Sequence, residues 1–193
     1  MAYPALDAVK GGDHAGEMDL FFNPQVLGQI VGFIALALCI VAFASKNDDR
    51  LLAILILGNV AFATQFALFG AWTASAITAL IILRIILARR MPGSVPATVL
   101  FVCATAAVAA VTWEGATDIF PLVAGIVGTI AMFMLRGIAM RIALAVAALC
   151  WAAANAYIGS VGALAAELLV FATNAITIVR IARDRRRLAA PAE

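Results

Sequence analysis

The sequence predicts an all-α integral membrane protein. Seven transmembrane helices form two parallel three-helix repeats joined by a linker helix (3+1+3), with the N-terminus outside and the C-terminus inside. Three observations lead there. The 193 residues are 65% hydrophobic and 12% charged, against roughly 45–50% and about 25% in a soluble domain. Apolar runs of bilayer length follow one another, separated by short polar gaps. The basic residues collect in alternate gaps. A chain of this size cannot bury so much apolar surface in one globule, so lipid must cover it. Backbone in lipid demands helices or a closed barrel, and these runs are too long and too uniformly apolar for barrel strands.

The spans are Val26–Ala44, Leu51–Phe69, Thr73–Ala88, Val95–Thr112, Ile119–Leu135, Ile138–Ile158 and Val161–Ala182. Before them, residues 1–24 read as an acidic extracytoplasmic tail: Asp7, Asp13, Glu17 and Asp19 stand against Lys10. It lacks the basic and apolar regions of a signal peptide. His14, though near Asp13 and Glu17, reads as a solvated tail residue rather than a metal ligand. Ser45–Arg50 is a polar loop, Gly70-Ala71-Trp72 a tight turn, and Arg89–Ser94 a stop with Pro92 and Gly93. Trp72 and Trp113 suit the membrane–water interface. Residues 188–193 form the last of a cytoplasmic tail that follows the arginine cluster.

Of the thirteen Lys and Arg residues, all but Lys10 fall on one side: Lys46 and Arg50, then Arg84, Arg89 and Arg90, then Arg136 and Arg141, then Arg180, Arg183 and Arg185–Arg187. The other gaps, Gly70–Trp72, Trp113–Asp118 and Gly159–Ser160, carry no basic residue. Positive residues stay cytoplasmic, which sets the orientation and requires an odd number of spans.

Residues 25–90 and 118–187 look like two copies of one unit, with Val95–Thr112 as the linker. Ile30-Val31-Gly32-Phe33-Ile34-Ala35 matches Ile126-Val127-Gly128-Thr129-Ile130-Ala131 at an offset of 96. Gly70-Ala71-Trp72-Thr73-Ala74 parallels Gly159-Ser160-Val161-Gly162-Ala163 at an offset of 89. An odd linker helix places both copies the same way up, and parallel repeats in transporters enclose a site near the midplane.

Further residues carry a family resemblance: Gly32-Phe33-Ile34-Ala35-Leu36, Ser45-Lys46-Asn47-Asp48, Leu57-Gly58-Asn59, Leu68-Phe69-Gly70-Ala71-Trp72-Thr73, and Asn174-Ala175-Ile176 with Arg180. With the 3+1+3 order, the chain resembles the SWEET and PQ-loop transporter superfamily and, more closely, the YgjV-type bacterial inner-membrane proteins, over about residues 25–187. The SWEET likeness implies passive movement of a small polar solute. The Pro-Gln pair of that superfamily occurs as Pro24-Gln25, but the second copy reads Pro121-Leu122, which departs from a proline hinge in both halves.

Glu167 is the one acidic residue inside a predicted span, roughly 10 Å into its helix. A charge there is expensive to insert, so it faces the bundle interior or a polar path. Phe171, Asn174 and Thr177 share its face. The stripe reads either as a solute- or proton-binding surface or as a protonated acid and an amide tying helices together. Subtracting 89 pairs Glu167 with Thr78, Trp151 with Phe62, and Asn155 with Phe66, beside Gln65. A ring and a few amides commonly hold sugar- or nucleoside-like solutes. The candidate substrate-binding set is therefore Glu167, Asn174, Asn155, Trp151, Gln65, Phe62 and Thr78. The rival reading is ordinary packing and lipid contact.

Among the other polar residues, Asn59 is expected to bond across helices, Arg84 to snorkel to the cytoplasmic surface, and Gly28 and Gly32 to let the first helix pack closely. Cys39, Cys103 and Cys150 read as small core residues. No phosphate loop, nucleophile–base pair, catalytic or metal cluster, or cofactor motif is present in the sequence, so no enzyme activity is expected. Nor is there a polar basic face for nucleic acid. The expected partners are the lipid bilayer and a small polar solute, with small residues permitting a homo-oligomer. A non-transporting receptor or assembly factor of the same fold, acting through the Arg183–Arg187 tail, is the alternative. That cluster is also explained as a topology signal and anionic-lipid anchor.

Overall fold

The computed structural model describes residues 23–44 and 48–189. The acidic tail with His14, the loop residues Ser45–Asn47 and residues 190–193 lie outside them. The described residues form α1 (Pro24–Ala44), α2 (Asp48–Leu68), α3 (Trp72–Arg90), α4 (Val95–Thr112), α5 (Ile119–Met134), α6 (Gly137–Ile158) and α7 (Val161–Ala189), with one 3-10 turn at Ala116–Asp118. No strand occurs among them.

Local chemistry sets the boundaries. Asn23 caps α1, its Oδ1 accepting the Gln25 N–H at 2.9 Å, while Pro24 at the first helical position has no N–H to satisfy. Ser94 caps α4 through the Ala97 N–H at 3.3 Å, with Pro96 inside the first turn. α2 and α6 end alike. Gly70 and Gly159 are left-handed, with φ of 73° and 79°, which a Cβ would oppose. The following residues, Ala71 and Ser160, donate at 2.9 Å to Phe66 O and Asn155 O. Both turns therefore use one geometry, 89 residues apart.

Six of the helical segments are long and apolar enough to cross a membrane; α2 contributes a shorter apolar stretch, Ala53–Leu68. The helix itself runs from Asp48 to Leu68 and covers the expected span Leu51–Phe69 but for its last residue. At the other extreme α7 runs to Ala189. The arginines placed in a tail by the sequence continue the helix instead, since nothing from Arg183 to Arg187 breaks it.

α1 packs on α2, α2 on α3, α3 on α5, α5 on α6, α6 on α7, and α7 returns to α1. Six helices thus close a ring, and α4 stands outside it against α3 and α5. Small residues allow the close approach: Ala74, Ala109, Ala124, Ala147, Ala154 and Ala163 join Phe66, Ile77 and Trp151 in the core. The tightest seam is α1 on α7, where a Cβ at Gly162 would lie 2.6 Å from the Gly32 carbonyl carbon. Polar bonds reinforce that seam. Gln29 Nε2 donates to Gly159 O at 2.6 Å, and Gln29 Oε1 accepts from the Val161 N–H at 3.3 Å. Gly28 and Gly32 of α1 accommodate the Phe69 ring and the Gln65 amide, in keeping with the packing role expected of them.

Three expectations change. Arg84 does not snorkel: it is 7% exposed, and its Nη1 donates to Gly125 O at 3.1 Å and to Thr129 Oγ1 at 3.3 Å. Gly128 leaves room for the guanidinium. Cys103 is exposed on α4 rather than in the core, because α4 lies outside the ring. Asn59 Nδ2 bonds Leu55 O of its own helix at 2.8 Å rather than a neighbouring helix. Trp72 and Trp113, by contrast, are exposed at helix ends, as interfacial residues would be.

Candidate functional site inside the helix ring

The ring interior holds a small cavity of about 40 Å3, lined from four helices. α2 contributes Asn59, Phe62 and Phe66, spaced three and four apart so that they share one face. α3 contributes Thr78 and Ile81, α6 Trp151 and Asn155, and α7 Ala163 and Glu167. Phe66 stacks on Trp151 across the ring, with centroids 5.8 Å apart and planes 11° from parallel. Phe62 continues the stack at 6.5 Å from Phe66.

The polar groups at this cavity are short of partners. Asn155 is 1% exposed, yet its Oδ1 accepts no hydrogen bond. An orphaned buried acceptor of this kind calls for an explanation. No hydrogen bond or ion pair reaches Glu167 among the described residues, and the Cys39 thiol is its electrostatic neighbour. Two of these residues donate within their own helices: Thr78 Oγ1 to Ala74 O at 2.7 Å, and one N–H of Asn59 Nδ2 to Leu55 O. The lining thus offers a carboxyl, an unpaired amide oxygen and a second amide oxygen, between aromatic walls.

Larger openings lie to either side. A cavity of about 290 Å3 includes Phe69, Ala74, Glu114, Asp118, Ala154 and Tyr157. It neighbours the central one, since Ala154 precedes Asn155. Asp118 Oδ2 organises its rim, accepting from Thr73 Oγ1 at 3.0 Å and from the Glu114 N–H at 2.7 Å. Toward the arginine-bearing end a cavity of about 610 Å3 includes Leu55, Arg84, Arg89, Met132, Arg136 and Met140. Arg84, one turn along α3 from Ile81, stands between it and the centre.

Of the residues expected to bind solute, Glu167, Asn155, Trp151, Phe62 and Thr78 meet at the central cavity. Gln65 and Asn174 do not. Gln65 is fully buried at the junction of α1, α2 and α7, its Nε2 donating to Ser160 Oγ at 2.6 Å. Asn174 lies two turns beyond Glu167; its Oδ1 accepts from Arg141 Nη1 at 3.3 Å and its Nδ2 donates to Val170 O at 2.9 Å. Asn59, expected to tie helices together rather than to touch solute, lines the cavity instead, and its spacing from Phe62 and Phe66 marks the same face. No group of three or more His, Cys, Asp or Glu residues placed for a metal occurs among the described residues.

Comparison with known proteins places these elements in a wider set. The Imp-YgjV family model, described as a bacterial inner membrane protein, matches residues 26–185. The inner membrane protein YgjV of Escherichia coli (strain K12) is 26% identical over 161 residues, covering 83% of this chain and 87% of that one. No solved structure matches.

Proposed function

Starting from a chain that belongs to the Imp-YgjV family of bacterial inner membrane proteins, we propose a facilitative transporter of a small polar solute, sugar- or nucleoside-like. It is a multi-pass inner membrane protein, and it works by alternating access between two three-helix repeats rather than by enzymatic reaction. The observation that carries this reading is the meeting of three residue pairs, each 89 apart, at one cavity: Phe62 with Trp151, Phe66 with Asn155, and Thr78 with Glu167. Duplication of a three-helix unit accounts for that coincidence, and a site between parallel repeats is the usual transporter arrangement.

The packing supports the same reading. Shifting each helix of the first unit to its counterpart turns the α1–α2 contact into α5–α6, α2–α3 into α6–α7, and α3–α5 into α7–α1, all of which occur. The turns at Gly70 and Gly159 share their bonds. α4 takes the linker role, and the arginine-bearing end faces the cytoplasm by the positive-inside rule. The SWEET and PQ-loop likeness of the sequence fits this arrangement.

In this reading the described conformation is closed at its centre. A cavity of about 40 Å3 is far below the roughly 300 Å3 or more of a small-molecule site, whereas the flanking cavities are much larger. Solute passes when the α1–α7 and α3–α5 seams shift and join the centre to one side, then the other. The Phe66–Trp151 stack offers flat faces, and Asn155 and Glu167 offer hydrogen-bonding groups that the fold leaves unused.

The test is uptake of labelled sugars and nucleosides into proteoliposomes by wild type, Glu167→Gln and Asn155→Leu. One solute class is carried by wild type, and each substitution lowers the rate at least tenfold. Unchanged rates in both variants at normal expression would remove the site assignment. An absence of uptake across the panel would move the weight to a receptor or assembly role.

A further inference from the structure

We propose that the central cavity binds one bare monovalent cation of about sodium size, held by Glu167 and Asn155. The cavity's size, its unpaired oxygens and its single charge point to the same occupant.

A volume of about 40 Å3 compares with roughly 30 Å3 for one water in the liquid, and about 150 Å3 for an engineered cavity that takes benzene. It is therefore too small for a sugar ring or for an ion with its full water shell. The occupant must shed its water, and the lining must replace it.

The lining carries several oxygen acceptors. Asn155 Oδ1 is buried and unpartnered. Glu167 brings carboxyl oxygens that meet no donor among the described residues. Asn59 spends one N–H on Leu55 O and keeps its amide oxygen free, and Thr78 keeps free lone pairs after donating to Ala74 O. Side-chain oxygens from Asn155, Glu167, Asn59 and Thr78, one of them a carboxylate's, are the kind of ligand a small hard cation takes. The Phe62, Phe66 and Trp151 walls are apolar and lower the local dielectric, which strengthens the attraction between a cation and the carboxylate.

The charge selects the valence. Glu167 is the single charged residue at the cavity, so one positive charge neutralises it. Divalent ions are bound by several carboxylates or by ordered water shells, and neither fits a cavity this small with one carboxylate. Burial of an unpaired carboxylate among apolar helices is unfavourable, and a matched cation removes that penalty.

This binding stands apart from the transport reading, because it concerns the folded protein at rest. The test uses full-length protein in detergent, in buffer whose only cation is N-methylglucamine, with sodium chloride titrated in at constant ionic strength. Sodium is expected to raise the apparent melting temperature saturably, by about 3–5 °C at ten times the dissociation constant. Potassium should do so less, and Glu167→Gln should not respond. Asn155→Ala, which keeps the carboxylate, should weaken the apparent affinity at least tenfold, so a Glu167→Gln protein that fails to fold leaves the test intact. No saturable sodium effect in wild type overturns the proposal, as does an equal effect in both variants. So does stabilisation that follows pH alone, which would assign a proton to Glu167. Failure of solute uptake leaves all of these outcomes readable.

Discussion

Replacing Gly162 with alanine tests whether backbone contact between α1 and α7 closes the ring. The added Cβ would lie 2.6 Å from the Gly32 carbonyl carbon, 2.7 Å from its oxygen and 2.9 Å from the Phe33 nitrogen. Ordinary contact begins at 3.4 Å, so the helices must part by about 0.8 Å. These are main-chain atoms and cannot rotate aside. Overpacking of this kind costs about 1–3 kcal/mol, and better helix propensity returns up to about 1 kcal/mol. The Gln29 bonds to Gly159 and Val161 loosen with the same movement. The net expectation is a loss of about 1–2 kcal/mol, read as a fall of about 3–6 °C in the melting temperature of detergent-purified protein. Gly58→Ala is the control. Its Cβ meets nothing nearer than Cys39 Sγ at 3.6 Å, so it should be neutral or slightly stabilising. If Gly162→Ala proves as stable as wild type, the seam is not set by this contact and the packing argument fails.

Removing the ring that stacks on Phe66, by Trp151→Ala, should cost about 3–5 kcal/mol, whereas Trp151→Phe should cost much less; reversible unfolding in mixed micelles separates the two. Asn174→Ala should lower stability by about 1 kcal/mol through the lost Arg141 bond and leave solute uptake unchanged. Reduced uptake would put the inner part of α7 on the path. Arg84→Met, which replaces a buried guanidinium whose Nε has no partner with an apolar chain of similar length, should leave stability equal or higher. Arg84→Ala should lose about 2–4 kcal/mol to the void. Cys103, exposed on α4, should react in membranes with a lipid-soluble maleimide, while buried Cys39 reacts only after unfolding; peptide mass spectrometry reads the order.

Much of the fold was legible because apolar length and arginine placement are one-dimensional signals. α3, α4, α6 and the start of α7 fall within a residue or two of the expected bounds. The central residues were legible for a related reason: an offset of 89 read from two glycine turns carried Phe62, Phe66 and Thr78 onto Trp151, Asn155 and Glu167 without knowledge of packing. What the chain does not write in one dimension is which face of a helix meets which neighbour. Arg84 near a helix end looked free to reach the surface, but the groove at Gly128 buries it. Asn174 shares a face with Glu167, yet Arg141 claims it from α6. Gln65 stands beside Phe66, and the angle between adjacent residues, about 100°, turns it toward α1 and Ser160.

The pairing of the first membrane helix with the last has a consequence for synthesis. Gln29 finds its partners 130 and 132 positions downstream, and Gln65 finds Ser160 95 positions downstream. While the chain leaves the ribosome and enters the bilayer helix by helix, these two amides have no mate until α6 and α7 arrive. The nascent protein therefore carries a polar stripe on α1 and α2 through most of its insertion. A chain truncated before Gly159 keeps that stripe for good. Contacts of such long sequence separation also form slowly, and these wait on the turn at Gly159 and Ser160.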